Sequence, residues 1–154
     1  MPPWGPQDRM SVYEVARGLY MSGELSPSLD LLERGISVVV NLKEKDDSHL
    51  PKRADWSLYV HWPIEDGPMP KSQTVRALAA FVARLLRQDL KVLVHCHGGN
   101  NRSGLVVART LIELGMEPNE AVDTVKARRG SSALSNENFV RWLRDEKPQT
   151  TSLP

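Results

Sequence analysis

A single cysteine in 154 residues means that no internal disulfide can form, so Cys96 is either an inert core thiol or a reactive one. A lone thiol also favours a reducing, cytosolic setting. No apolar run is long enough to span a bilayer. The nearest candidate, VRALAAFVARLL at 75–86, carries Arg76 and Arg84 and reads as an amphipathic helix. The first residues, MPPWGPQDRM, lack both the basic and the apolar stretch of a secretion signal. Charge of one sign is not in excess either: a formal net charge of +1 gives no overall pull toward nucleic acid or membrane. What is present is enough length for one ordinary domain with a real core. The 40% hydrophobic and 25% charged residues match a globular composition.

Proline, glycine and polar residues crowd both ends, so 1–10 and 147–154 are expected as flexible tails around a domain over 11–146. SVYEVARGLYMSG reads as one or two short strands. SPSLDLLERG, 26–35, reads as a short helix with Ser26 as N-cap, Pro27 in the first turn and Gly35 as stop. The β-branched run 36–42 predicts a buried strand, and 57–62 alternates as another strand. Between them, KEKDDSHLPKRAD (43–55) is a charged loop without periodicity, able to select substrate or merely to stay solvated. A proline-rich loop precedes a helix over 71–88, and KVLVH at 91–95 is a further buried strand. Helices are expected at 103–115, apolar nearly all round as in the middle of a domain, at 118–130, and at 136–145. Strands alternating with helices argue for a single α/β domain with a central, largely parallel sheet flanked by helices. Ligands of such sheets sit at the carboxyl ends of the strands.

At one such end lies VHCHGGNNRSG, residues 94–104, between the strand at 91–95 and the helix that follows. In a strand–loop–helix turn, the backbone N–H groups from His97 through Gly98, Gly99, Asn100 and Asn101 to Arg102 form a concave anion cradle. Gly98 and Gly99 allow close backbone approach and unusual dihedrals. Asn100 and Asn101 are expected to cap and stiffen the loop. Arg102 opens the helix and can fork two N–H bonds onto a tetrahedral oxyanion, where the helix dipole adds positive potential. The same field favours a thiolate at Cys96, a nucleophile aimed at phosphorus, with Ser103 placed to hydrogen-bond the sulfur. Blander readings stand beside this one. Cys96 could be a buried strand-end thiol. A zinc site from His95, Cys96 and His97 is a poor fit, because adjacent residues do not converge easily on one ion. A Walker-type loop needs GK[ST], which is absent.

The run His95-Cys96-(five residues)-Arg102-Ser103-Gly104 resembles the HCx5R[ST] signature of the cysteine-dependent protein tyrosine phosphatase superfamily, specifically its small dual-specificity-like branch. The resemblance covers roughly residues 12–145. It implies a phosphatase-like fold, a cysteinyl-phosphate intermediate, and neither cofactor nor metal.

Attack by the thiolate expels an alkoxide or phenoxide that needs a proton, best given by a carboxylic acid on a mobile loop. WPIEDGPMP offers Glu65 and Asp66; the resemblance points to Asp66, although an Asp before Gly is also a common turn former. The resemblance gives His95 the task of ordering the loop. His97 either adds positive charge at the rim or faces water. For the water of a second step, the resemblance leaves Asn136 and Asn138 as candidates, with helix capping by Ser135 or Asn136 the plainer role. Arg128 and Arg129 lie in a last helical turn, where dipole complementation and solvation account for them. Trp56, Trp62 and Trp142 read as packing residues. The expected partner is a phosphorylated protein, at phosphotyrosine and phosphoserine or phosphothreonine, in the shallow pocket that the resemblance implies. A non-protein phosphomonoester, such as an RNA or nucleotide 5′-phosphate or a phosphoinositide, is the alternative, since NR[ST]G also occurs in RNA-phosphatase relatives. Without a basic stripe, nucleic acid is not expected but stays open. A module that only binds phosphate would not need Cys96, Arg102 and Asp66 together.

Overall fold

The computed structural model describes residues 12–26, 31, 33–50 and 57–148. Nine elements follow in the order β1 (Val12–Ala16), β2 (Leu19–Ser22), β3 (Ile36–Asn41), β4 (Leu58–His61), α1 (Ser72–Arg87), β5 (Lys91–His95), α2 (Arg102–Glu113), α3 (Pro118–Arg129) and α4 (Glu137–Asp145). The strands form one sheet in the order β1-β2-β5-β3-β4. β1 is the antiparallel edge, and β2, β5, β3 and β4 run parallel.

The β-branched runs are apolar on both faces because both faces are covered. Val38, Val40, Val92 and Val94 point into the larger core with Leu19 and Met21, and all four helices pack on that side. Val39 and Leu93 point the other way, into a smaller cluster with Tyr20, Leu25, Leu31 and Ile36. Among the described residues the helices flank the sheet on one face, since all four of them pack against the larger core. α2 is central: Ser103 through Ile112 are all buried, as its nearly all-round apolar sequence predicts. Its one buried cation, Arg109, is held by Glu113 at 3.0 Å and by Glu146 at 2.9 Å, and Glu146 also takes Arg76 of α1 at 2.7 Å.

Half of the helix expected over 26–35 falls on residues outside those described. Its end is visible as a turn, in which Ile36 N–H donates to the Leu31 carbonyl at 3.0 Å and Gly35 has φ +79°. A glycine in the left-handed region is what closes a helical turn in this way. The tail expected over 1–10, and most of that over 147–154, also lie outside the described residues.

The register sets the floor of the site. Ser22 pairs with His95, His95 with Asn41, and Asn41 with His61, so the four parallel strands each end on a polar side chain in one row. Cys96 follows His95 immediately, at the carboxyl edge where such sheets bind ligands.

Candidate active site

Cys96 is 1% exposed, at the bottom of the loop between β5 and α2. Its backbone stays tied to the sheet edge: Cys96 N–H donates to the Ser22 carbonyl at 3.3 Å, and the His97 carbonyl accepts from Glu24 N–H at 3.0 Å. Gly99 N–H donates to Cys96 Sγ at 3.2 Å, and the buried Ser103 Oγ lies 3.4 Å from that sulfur. Two hydrogen-bonding groups and the first turn of α2 thus converge on one thiol.

Gly99 has φ +71°, and a Cβ there would overlap the backbone of Ser22 and Gly23. Gly98 departs from expectation. Its φ is not in the left-handed region, and a Cβ would meet only Asn100 Nδ2 at 3.8 Å, so the fold itself does not demand glycine there. Arg129 supports the loop from below, donating through Nε to the Gly99 carbonyl at 2.9 Å and through Nη2 to the Gly98 carbonyl at 3.4 Å. It is 4% exposed and stacks on Tyr13 at 4.8 Å. Dipole complementation and solvation therefore do not account for Arg129; it braces the cradle. Within a run of basic residues at a helix end, nothing local marks it as the one turned inward.

Arg102 begins α2, as expected, and donates to the Ile64 carbonyl of the acid loop at 3.2 Å. Asn101 stands at the N-cap position of α2 but makes no capping bond, contrary to expectation. Its Nδ2 donates to Asp66 Oδ2 at 3.1 Å, and its Oδ1 accepts from Asn136 N–H at 2.9 Å. Asn136 caps α4 with Oδ1 and donates from Nδ2 to Asp66 Oδ1 at 2.9 Å and to the Gly67 carbonyl at 3.0 Å. Asn138 Nδ2 reaches the same carbonyl at 3.1 Å. Asp66 is exposed and held between the two amides, and Glu65 beside it is exposed as well. Asn100 contributes its carbonyl to Leu134 N–H at 3.2 Å, joining the cradle to the segment before α4.

His95 and His97 diverge. The His97 side chain is 73% exposed, with Nδ1 3.4 Å from Glu24. His95 is fully buried and donates from Nε2 to Asp47 Oδ2 at 2.8 Å. Asp47 comes from the charged loop that showed no periodicity, and it too is fully buried. Tyr59 Oη donates to the same carboxylate oxygen at 3.0 Å, and Lys43 Nζ lies 3.4 Å from Oδ1. Burial pushes the Asp47 carboxyl up. The hydrogen bond and charge of His95, then Lys43 and the Tyr59 hydroxyl, outweigh it and hold it below its ordinary value. Tyr59 shifts upward, first through burial and then through the neighbouring carboxylate, and so stays a donor. Glu24, Asp47 and His49 are close enough to share a cation, but Lys43 Nζ already stands among them, 3.2 Å from Glu24. A cleft of about 770 Å³ opens beside the cradle, between Lys43, Lys45 and His49 on one side and His97 and Arg102 on the other. No helix among the described residues is long and apolar enough to cross a membrane.

Comparison with known proteins agrees with this geometry. The family model described as the dual specificity phosphatase catalytic domain matches residues 19–149. The rat cyclin-dependent kinase inhibitor 3 is 34% identical over 91 residues, which is 56% of this chain and 43% of that protein's length. The bovine protein tyrosine phosphatase type IVA 3 is 29% identical over 122 residues, covering 78% of this chain and 69% of that protein. Among solved structures, Tk-PTP in its active form superposes with a TM-score of 0.72 at 25% identity, covering 88% of this chain and 97% of that one.

Proposed function

The chain belongs to the dual specificity phosphatase catalytic-domain family, and from that premise we propose that it hydrolyses phosphomonoesters through a phosphorylated Cys96. In the first step the Cys96 thiolate attacks phosphorus as the bond to the ester oxygen breaks. Arg102 and the loop N–H groups hold the phosphoryl oxygens, and Asp66 gives its proton to the departing oxygen. In the second step a water attacks the phosphocysteine and gives its proton to the Asp66 carboxylate. The S–P bond breaks, and Ser103 O–H donates to the returning thiolate. Asn136 and Asn138 serve the water step by fixing the loop that carries the base. His95 holds the Cys96 backbone through its anchor on Asp47. No step calls for a metal or a cofactor.

The observation that carries the reading is the convergence of the Gly99 amide and the Ser103 hydroxyl on one buried sulfur, at 3.2 and 3.4 Å, in a loop to which a carboxylate is tethered through Asn101. A phosphate-binding module would gain nothing from the tethered acid. For the substrate we favour a phosphorylated protein, at phosphotyrosine and at phosphoserine or phosphothreonine, met in the cytoplasm. Glu24, Glu44 and Asp46 line the cleft beside the cradle among its basic residues, and such acidic groups repel an RNA end or an inositol polyphosphate.

Phosphate release from an aryl phosphate in EDTA tests the chemistry. Wild type should turn over, Cys96→Ser should be inactive, and Asp66→Asn should lose about 100-fold or more. Phosphopeptides, RNA 5′ ends and inositol phosphates, assayed side by side, then decide the substrate class. Tight phosphopeptide binding by an inert wild type would instead mark a binding module.

A further inference from the structure

We propose that Asn101 is the positioning residue for the proton donor, a latch that holds Asp66 over the cradle; the assignment rests on the phosphatase reading above. An asparagine at an N-cap ordinarily turns its side-chain oxygen onto its own helix and satisfies one of the free N–H groups of the first turn. Asn101 occupies that position at α2 without capping it. Two things follow from this one refusal. The N–H groups at the start of α2 stay free for an oxyanion, where the helix dipole favours negative charge. The Asn101 amide is released to act across the site.

There it joins three segments that are distant in sequence. Nδ2 donates to Asp66 Oδ2 at 3.1 Å and to Ser135 Oγ at 3.3 Å, while Oδ1 accepts the Asn136 backbone N–H at 2.9 Å. Asn136 completes the clamp, its Nδ2 lying 2.9 Å from Asp66 Oδ1. Each carboxylate oxygen is thus met by one neutral amide, and no cation is bonded to it. The two amides, one on each oxygen, fix the orientation of the carboxyl group. A group that gives a proton to the departing oxygen in one step and takes one from water in the next must face the same point in both. The residue next to the phosphate-binding arginine therefore links substrate seat and proton donor directly.

Leaving-group dependence tests the latch, because only a poor leaving group needs the acid. In Asn101→Asp the acceptor for Asn136 N–H remains, but a carboxylate replaces the amide that faces Asp66. Expected is a fall in kcat about 10- to 100-fold larger on phenyl phosphate than on 2,4-dinitrophenyl phosphate. Asn101→Ala, which adds no charge beside the cradle, should shift the same ratio in the same direction. Combined with Asp66→Asn, either variant should no longer change the ratio between the two esters. Equal losses on the two esters would show that Asn101 merely shapes the cradle and would overturn the assignment, as would no loss on either. A wild type inert on both esters would remove the phosphatase reading and the latch with it.

Discussion

Replacing Asp47 by asparagine keeps the size of the side chain and removes one buried charge. The carboxylate oxygen that accepts from His95 at 2.8 Å and from Tyr59 at 3.0 Å becomes an amide oxygen, so two charge-assisted bonds become neutral ones. Each such change costs roughly 1 kcal/mol. On the other side an NH2 group replaces the oxygen 3.4 Å from Lys43 Nζ, setting donor against donor beside a buried ammonium. The total is about 3 kcal/mol, at the lower end of the roughly 3–5 kcal/mol for breaking a buried pair, because Lys43 keeps Glu24 and two backbone carbonyls. For a domain of this size that is a drop in Tm of about 6–12 °C near neutral pH. The pH dependence has a definite sign. The folded Asp47 carboxyl lies below its ordinary value, so its contribution is complete above about pH 4 and is lost as pH falls through the folded value. Thermal unfolding of wild type and Asp47→Asn from pH 7 down to pH 3 should show the gap closing in acid. A gap under about 0.5 kcal/mol at pH 7, or one constant across the range, would refute the reasoning.

Gly99→Ala should lose aryl phosphatase activity by at least about 100-fold, because a left-handed φ and the Ser22–Gly23 backbone both oppose a Cβ; Gly98→Ala should unfold within about 1 kcal/mol of wild type. Urea titration with parallel rate measurements separates the two. Arg129→Ala leaves the Gly98 and Gly99 carbonyls without their donor and strips the Tyr13 ring of its cation, an expected loss of about 2–4 kcal/mol in urea. Full stability in that variant would show that other groups support the cradle. Glu146→Gln removes the carboxylate shared by Arg76 and the buried Arg109, for an expected loss of about 2–3 kcal/mol at pH 7. Burial raises that carboxyl but the two arginines outweigh it and hold it low, so this difference too should fade below about pH 4 in thermal scans.

The cysteine loop was legible because its logic is local. Cys96, Gly99, Arg102 and Ser103 act through one strand–loop–helix turn, and their spacing along the chain is nearly their spacing in space. The largely parallel sheet and the central helix were legible for a similar reason, since runs buried on both sides name the middle of a layered fold. Asp47 could not be found this way: a buried aspartate inside KEKDDSH reads like its solvated neighbours until His95 is placed beside it. Arg129 hides in a basic helix end for the same reason. Asn101 misled in a more instructive manner. Its position at the start of α2 was correctly read, but capping is only the default use of that position, and an acid loop 35 residues upstream claimed the side chain. Gly98 shows the reverse error, a glycine given a backbone duty that its neighbour alone performs.

The two groups that the proposed reaction pairs are held by different kinds of bond. Cys96 continues β5, the middle strand of the sheet, and its own N–H extends the ladder to Ser22. Asp66 sits in a loop kept in place by solvent-exposed hydrogen bonds from two half-buried asparagines and by the Arg102 bond to Ile64. Opening free energies differ widely within one fold, and a central strand opens only with the whole molecule while a loop on a few exposed bonds opens far more easily. Mild denaturant or warming should therefore release the acid before it disturbs the thiol. In that partly loosened state the protein would still capture phosphate from an activated ester, yet fail on an ordinary one.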